Sequence, residues 1–376
     1  MRLLLLGWCV GATTTLAGQG PVGGVGTVAQ TGVAFDAYYF GSGVAFEHVV
    51  EWTIPVSLSH RLGPELTIDL SSAYAHASAV TTSGPLEISG ATDTDVRATW
   101  AAVSGHMVVS LAGTLPTGKQ EVPVSSVPLL SALATELFRF TTPSFGGSSG
   151  VTGGVATAFK LGERWAAGIG GSYRWRAAYT PVAGSGDLEP GAEVRVRLGV
   201  EGPLAAGGRG YFRLATMYAG TGGDTLDGGL RSVSGARVLL YSNFNLPAGR
   251  STLSFYAYDR YRFPTHGYDS TVVQVPRGNV LALGGRLEQP LSPVLNLIPN
   301  LEFRYEVAAP DGGSVALLGW LIRPGVDLRY RGGAALTILV QAQAAFGRLA
   351  TTGGGGSPSS VSLVGPRALV LLEWAR

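Results

Sequence analysis

From about residue 28 to the end of the chain, apolar and polar side chains alternate, with no long apolar run. A period of two puts successive side chains on opposite faces of a strand, so this pattern predicts β-structure along almost the whole chain. Between Glu193 and Glu201, Glu193, Arg195, Arg197 and Glu201 share one face, and Val194, Val196, Leu198 and Val200 share the other. Asn300 to Val307 repeats the arrangement, as does Arg323 to Arg331, where Arg323, Asp327, Arg329 and Arg331 oppose Ile322, Val326, Leu328 and Tyr330. The mean hydropathy is nevertheless positive. An apolar average without an apolar run means that every second residue faces something greasy.

Alternation alone does not say which face is outside. Two further features decide it. Around Arg164 to Tyr179 the apolar face carries Trp165, Ile169, Tyr173, Trp175 and Tyr179, with aromatics at both ends and small residues between. Membrane barrels place aromatic girdles at their two interfaces in this way. The connections also alternate in length. Short turns fall near 61–64, 104–105, 162–163, 205–208, 248–249, 292–293 and 332–333, and long polar or Gly-rich loops near 79–92, 117–148, 180–188, 221–230, 264–276, 308–314 and 348–360. A soluble sandwich or solenoid would alternate too, but would need neither device. The expected fold is all-β, a transmembrane antiparallel up-and-down barrel of about sixteen strands, with fourteen as the fallback.

The first residues read as a signal peptide. Met1-Arg2 is a short basic start, Leu3 to Val10 an apolar core, and Gly11 to Gly18 a small-residue stretch with cleavage expected near Ala17 or Gly18. Cleavage removes Cys9, the only cysteine, which excludes cysteine catalysis and thiolate metal sites from the mature chain. The expected organisation is a signal peptide over 1–18 and one barrel domain over 19–376, placed in the outer membrane of a Gram-negative bacterium. Outer-membrane lipid, a small solute and the barrel-assembly machinery are the expected partners. The formal net charge is only +2, with 27 basic and 25 acidic residues, which gives no reason to expect nucleic acid.

Several motifs dissolve on inspection. Gly18-Gln19-Gly20-Pro21-Val22-Gly23 spells a dinucleotide fingerprint but precedes no helix. Gly113 to Lys119 spells most of a phosphate loop, yet Gln120 replaces the required hydroxyl residue. Gly146-Gly147-Ser148-Ser149-Gly150 spells a nucleophile elbow without its strand-to-helix context. The histidines show no metal-ligand spacing, and neither a metal nor a cofactor is expected. His76 and Ser78 share the face of Leu66, Ile68, Leu70 and Tyr74, which suggests a base and nucleophile of an outer-membrane lipid hydrolase. The third member is not obvious, since Glu87 lies in the following loop at no defensible spacing, and a strand that has already left the membrane explains the pair as well. No catalytic residue, and no enzyme, is expected.

Two features point to passage of a solute. Arg174, Arg195, Arg197, Arg237, Arg286, Glu302, Arg304, Arg323 and Asp327 fall on polar faces, where they either pair across strands or line a pathway. The longest loop, 117–148, is not polar in its middle: Val127 to Phe138 reads as a short apolar helix, with Pro128 in its first turn and Leu129, Leu130, Leu133 and Leu137 at helical spacing. Such a segment, ending on Phe138, is expected to fold into the barrel mouth or insert at the outer leaflet.

The stretch Gly90-Ala91-Thr92-Asp93-Thr94-Asp95-Val96-Arg97, followed by two strands and Leu115-Pro116-Thr117-Gly118-Lys119, resembles a family of outer-membrane transporter-like barrels. These are associated with meta-pathway phenol degradation and are similar in style to long-chain fatty-acid transporters. The resemblance is specific over about 90–120 and looser over the whole barrel. It implies passive uptake of small hydrophobic or aromatic compounds. A general diffusion porin is the alternative reading, and a lipid hydrolase the alternative of another class.

Overall fold

In a computed structural model, residues 26–102, 106–204, 210–268, 275–309, 316–352 and 358–376 are described. The expected signal peptide and its cleavage site lie outside these residues. Three long strands open the chain: β1 (Gly26–Phe40), β2 (Phe46–Arg61) and β3 (Leu66–Thr81). The next wall position is filled by two segments end to end, β4 (Gly84–Ala91) and β5 (Thr94–Ala102), both paired with β3. Short strands follow: β6 (Met107–Leu115), β7 (Gly150–Leu161) and β8 (Trp165–Arg176). After the two-residue β9 (Leu188–Glu189) come β10 (Glu193–Pro203) and β11 (Tyr211–Thr221). A small hairpin, β12 (Gly223–Leu226) and β13 (Gly229–Val233), leads to β14 (Arg237–Ala248) and β15 (Ser251–Arg262). Past β16 (His266–Gly267), the chain ends in long strands: β17 (Arg277–Pro290), β18 (Leu295–Ala309), β19 (Ala316–Gly332), β20 (Leu336–Thr352) and β21 (Pro358–Ala375).

All wall pairings are antiparallel, and β1 pairs with β21 as well as β2, which closes an all-β barrel of 16 strands, β4 and β5 sharing one position. The seam register runs from Val28 opposite Ala375 to Phe40 opposite Leu363. Closure satisfies the backbone amides without water, the condition for a β-structure in lipid. The exterior is what lipid requires: Leu111, Val155, Leu198, Leu283, Leu301 and Leu372 are exposed on the outward face. Exposed Tyr39, Tyr74, Tyr173, Trp175 and Tyr218 mark the end bearing the long loops, and Trp100, Phe159, Tyr330 and Trp374 the other. The tight turns lie at this second end. Gly162 and Gly333 take φ of 70° and 76° there, conformations that disfavour any residue with a Cβ.

Three loop expectations are corrected, one of them 348–360, where β20 runs on to Thr352 and β21 begins at Pro358. The stretch 79–92 is not a loop: β3 continues to Thr81 and turns back at once into β4, because Ala75, Ala77 and Ala79 keep the period of two and bury their methyl groups inward. Likewise 221–230 contains most of the β12–β13 hairpin, which joins β9 and β16 in a small sheet beyond the wall. The wall is uneven. β18 to β21 and β1 to β3 are 15–18 residues long, whereas β5 to β8, β10, β11, β14 and β15 are 9–12. Only about 9–11 residues are needed to cross a bilayer, so the long strands stand above it.

The orientation makes a test. Leu198, near the middle of β10, faces outward and is 48% exposed, whereas Thr99 on β5 faces the lumen beside Arg97. Leu198→Arg should destabilise the barrel by about 2–4 kcal/mol, as arginine at the bilayer midplane does, and Thr99→Arg by much less. Urea titration of folding into vesicles measures both.

Candidate functional site

The interior of the barrel is occupied by its own third external loop, residues 116–149, between β6 and β7. Its entry is clasped to the break between β4 and β5. Asp93, in that break, accepts hydrogen bonds from the Gly118 amide at 3.0 Å and from the backbone of Gly147. Thr117 donates to the Thr92 carbonyl at 3.0 Å and meets the Thr94 hydroxyl at 2.8 Å. A Cβ on Gly118 would lie 2.2 Å from the Phe145 carbonyl oxygen, and one on Gly146 2.5 Å from that of Lys119, so both glycines permit close backbone approach. Burial pushes the Asp93 carboxyl above the usual aspartate range, against the two amides that pull it down. The two halves of the motif that carried the family resemblance, 90–97 and 115–119, therefore interlock with each other here. The partial phosphate-loop spelling is part of β6 and this clasp.

Beyond the clasp the chain forms a single 3-10 turn, Val124–Ser126, and the helix α1 (Val127–Leu133), with Pro128 in its first turn. The helix is shorter than the expected Val127–Phe138. After Leu133 the chain leaves the helix and turns again, with the Arg139 amide donating to the Thr135 carbonyl at 3.3 Å, which brings Phe138 and Phe140 to the wall. Leu129, Leu133, Leu137 and Phe138 are buried in one cluster with Phe140 and Phe145, and Leu130 packs against its edge. The wall contributes Tyr38, Val49, Ala75, Ala77, Ala79, Leu321 and Leu363. Tyr38 sits at the centre, with its ring 4.9 Å from Phe138 and 5.2 Å, edge-on, from Phe140. Between those two phenylalanines Arg139 takes φ of 55°, a left-handed conformation that costs a non-glycine residue about 1–3 kcal/mol.

Polar contacts fix the loop to strands from both ends of the sequence. Tyr38 donates to the Phe138 carbonyl at 2.7 Å, and Arg323 donates to that carbonyl at 2.9 Å and to the Tyr38 oxygen at 2.7 Å. Arg323 also binds Glu302 at 2.7 Å, which is shared by Arg304 at 2.8 Å, Arg139 at 3.7 Å and the Tyr256 hydroxyl. Arg304 donates to the Glu136 carbonyl at 2.6 Å, and Arg260 holds the Glu136 carboxylate at 2.6 Å. On the other flank Asp36 accepts from the Thr141 hydroxyl at 2.7 Å and pairs with Arg367 at 2.9 Å, while Glu51 accepts from the Thr142 amide at 2.8 Å. Glu302 is thus a buried carboxylate whose two oxygens are both engaged, by three arginines and a tyrosine hydroxyl.

The structure thus divides the residues singled out from the sequence. Leu129, Leu130, Leu133, Leu137, Phe138, Glu302, Arg304 and Arg323 come together at the loop–wall contact. Arg195 and Arg237 both bind buried Glu193, on the wall of β8, β10 and β14, with Arg174 opposite Glu193 and Arg197 further along the same face. Arg286 and Asp327 lie nearer the short-turn end, Asp327 accepting from Asn300 at 3.0 Å and Gln341 at 2.9 Å. Sequence reasoning missed Tyr38, Asp36, Asp93, Glu136, Arg139 and Thr141 as anchors. Only Asp93 carried a signal, inside the resembling motif. Among the described residues no group of three His, Cys, Asp or Glu side chains is arranged to hold a metal ion, and no helix is long and apolar enough to cross a membrane.

Fold and site together define a class: a membrane-spanning antiparallel barrel whose lumen is partly filled by an inward-folded external loop. Neither a family model nor a curated protein sequence matches the chain. Among solved structures it is similar to a loop L8 deletion mutant of OmpT, an outer membrane protein of Vibrio cholerae, with a TM-score of 0.42 and 10% identity over 93% of this chain and 99% of that one. OccK7 (OpdD) of Pseudomonas aeruginosa gives 0.43 and 10% over 94% and 99%. An outer membrane channel from Pseudomonas putida F1 gives 0.39 and 14% over 71% and 97%. At these values the strand pairings, not the likenesses, define the fold.

Removing the clasp should loosen the loop without opening the barrel. Asp93→Ala leaves the Gly118 amide without its partner, a loss of about 1–3 kcal/mol. Proteolysis within 117–148 should then accelerate roughly tenfold or more, while the barrel keeps its resistance to unfolding in detergent; cleavage at the unaltered rate would show that the clasp does not hold the loop.

Proposed function

We propose that this protein is a channel in the outer membrane of a Gram-negative bacterium for passive uptake of small hydrophobic or aromatic compounds. The observation that carries the reading is an apolar, aromatic-rich cluster inside a barrel lumen otherwise lined by charge. Buried Leu129, Phe138, Phe140 and Phe145 hold the loop across the lumen and so narrow any aqueous passage, while the exposed apolar side chains of the same loop offer an apolar solute a favourable surface. Val124 and Val127 are exposed at the external face of the loop and offer a first contact. From there the route runs between the loop and the arginine-bearing wall of Arg174, Arg195, Arg197 and Arg237, then past Arg286 and Asp327 toward the short-turn end. Leu129, Leu133, Leu137 and Phe138 are packed against the wall in this conformation, so they act on solute through the position of the loop.

The same wall supports a second reading, a general diffusion porin that needs only the paired charges around Glu193. Uptake by proteoliposomes separates the two. The full barrel should admit a small aromatic hydrocarbon faster than empty liposomes do and exclude a sugar of similar size. Deletion of 125–140 should raise sugar uptake and abolish the preference while the barrel stays folded. Sugar uptake by the intact chain would favour the porin, and an unchanged solute profile after deletion would remove the loop from the mechanism.

A further inference from the structure

On the outer surface of the β3–β4 hairpin, three side chains stand in an arrangement that the channel does not use. His76 and Ser78 lie two residues apart on the outward face of β3, whose inward face is the buried Ala75, Ala77 and Ala79. The antiparallel register places Glu87 of β4 directly opposite Ser78, and its Oε1 is 3.5 Å from His76 Nδ1. The turn residues Gly84 and Pro85, not sequence spacing, bring the carboxylate to the histidine, which is why the chain alone shows no third partner. The imidazole is also held in place from the other side. Trp52 of β2, opposite His76, stacks on it with ring centres 5.7 Å apart and planes 28° from parallel, and the Tyr74 ring lies 5.6 Å from the same indole.

The height of these residues matters as much as their order. Trp100, opposite Leu66, marks the lower aromatic girdle. Twelve residues separate Leu66 from Ser78, a rise of roughly 30 Å for a tilted strand, against an apolar band of about 25 Å. Ser78 therefore stands at the level of lipid head groups and ester linkages on the external side. Among the described residues β4 pairs with β3 alone, so the hairpin presents this face at an open edge, with the Glu87 side chain 68% exposed.

We propose that Ser78, His76 and Glu87 form a catalytic site that hydrolyses carboxylic esters of membrane lipid at the outer interface, an activity independent of solute passage through the lumen. Ser78 Oγ adds to the ester carbonyl carbon as its proton passes to His76 Nε2. The tetrahedral species collapses, the alcohol leaves with that proton, and the acyl group remains on Ser78. Water, deprotonated by the same nitrogen, then adds to the acyl carbon, releases the fatty acid and returns the hydroxyl to Ser78. Glu87 is a positioning residue: its carboxylate faces Nδ1–H, which keeps Nε2 free to act as base, and it stabilises the imidazolium that forms without taking its proton.

The test uses the full-length barrel in phosphatidylethanolamine vesicles, with fatty-acid release followed against empty vesicles. Release is expected from the intact protein and should fall roughly a thousandfold in Ser78→Ala, whose side chain is half-exposed on the wall and removes no packing. Glu87→Gln should lower kcat about tenfold or more with KM unchanged, and Glu87→Asp should restore part of the loss; a purely structural ion pair would leave kcat in place. A fluorophosphonate should label Ser78 covalently in the intact protein. Absence of both release and labelling, release that survives Ser78→Ala, or cleavage of a soluble short-chain ester but not of phospholipid would each overturn the proposal.

Discussion

Everything in this molecule depends on the pairing of its first strand with its last. In hydrocarbon an unsatisfied backbone amide costs several kcal/mol, and the bonds between β1 and β21 join the two strands at which the wall would otherwise lie open from end to end. Once the wall is closed, the period of two assigns each residue a solvent: lipid for one face, the lumen for the other. The outward leucines and valines are then at rest, and the cost shifts to the interior, where charged side chains need partners.

The loop of 116–149 meets that need and creates a second core. It brings backbone carbonyls, hydroxyls and Glu136 to arginines that the wall cannot satisfy alone, and it covers Tyr38, Val49 and Leu363 with its own leucines and phenylalanines. The two kinds of contact are interdependent. Arg323 holds the Phe138 carbonyl only where Tyr38 also holds it, and Tyr38 is placed by its contacts with Phe138 and Phe140. The asymmetry of the wall follows: the long strands are those that the loop leans on, and the short strands are those that face the arginine-lined space.

Much of the wall was legible in the sequence. The count of about sixteen strands and the faces of β10, β18 and β19 follow from alternation, because strand periodicity is local, whereas the apolar loop suits the barrel mouth and the outer leaflet equally in sequence, and only its contacts with the wall decide between them. What was hidden is what depends on register. The expectation of a loop at 79–92 failed because small alanines carry a weak apolar signal although their positions keep the period. Glu87 was unreadable as a neighbour of His76 because a turn, rather than a spacing, sets their proximity. The anchors Asp36, Glu136 and Thr141 touch partners more than a hundred residues away, except where strand order brings them close, and no local pattern announces such contacts.

The strands on which the loop rests carry a consequence for the order of assembly. Beyond the clasp at Asp93 and the Arg260–Glu136 pair, its anchors are Tyr38 on β1, Glu51 on β2, Glu302 and Arg304 on β18, Arg323 on β19 and Arg367 on β21, the first and last wall strands, whereas the loop itself leaves the wall between β6 and β7. Hairpins between sequence neighbours form early because little chain entropy opposes them. The platform for the loop does not exist until the two termini have met. Full seating of the loop therefore requires the closed seam, whereas the clasp at Asp93 and the pair with Arg260 are independent of the strands that meet there.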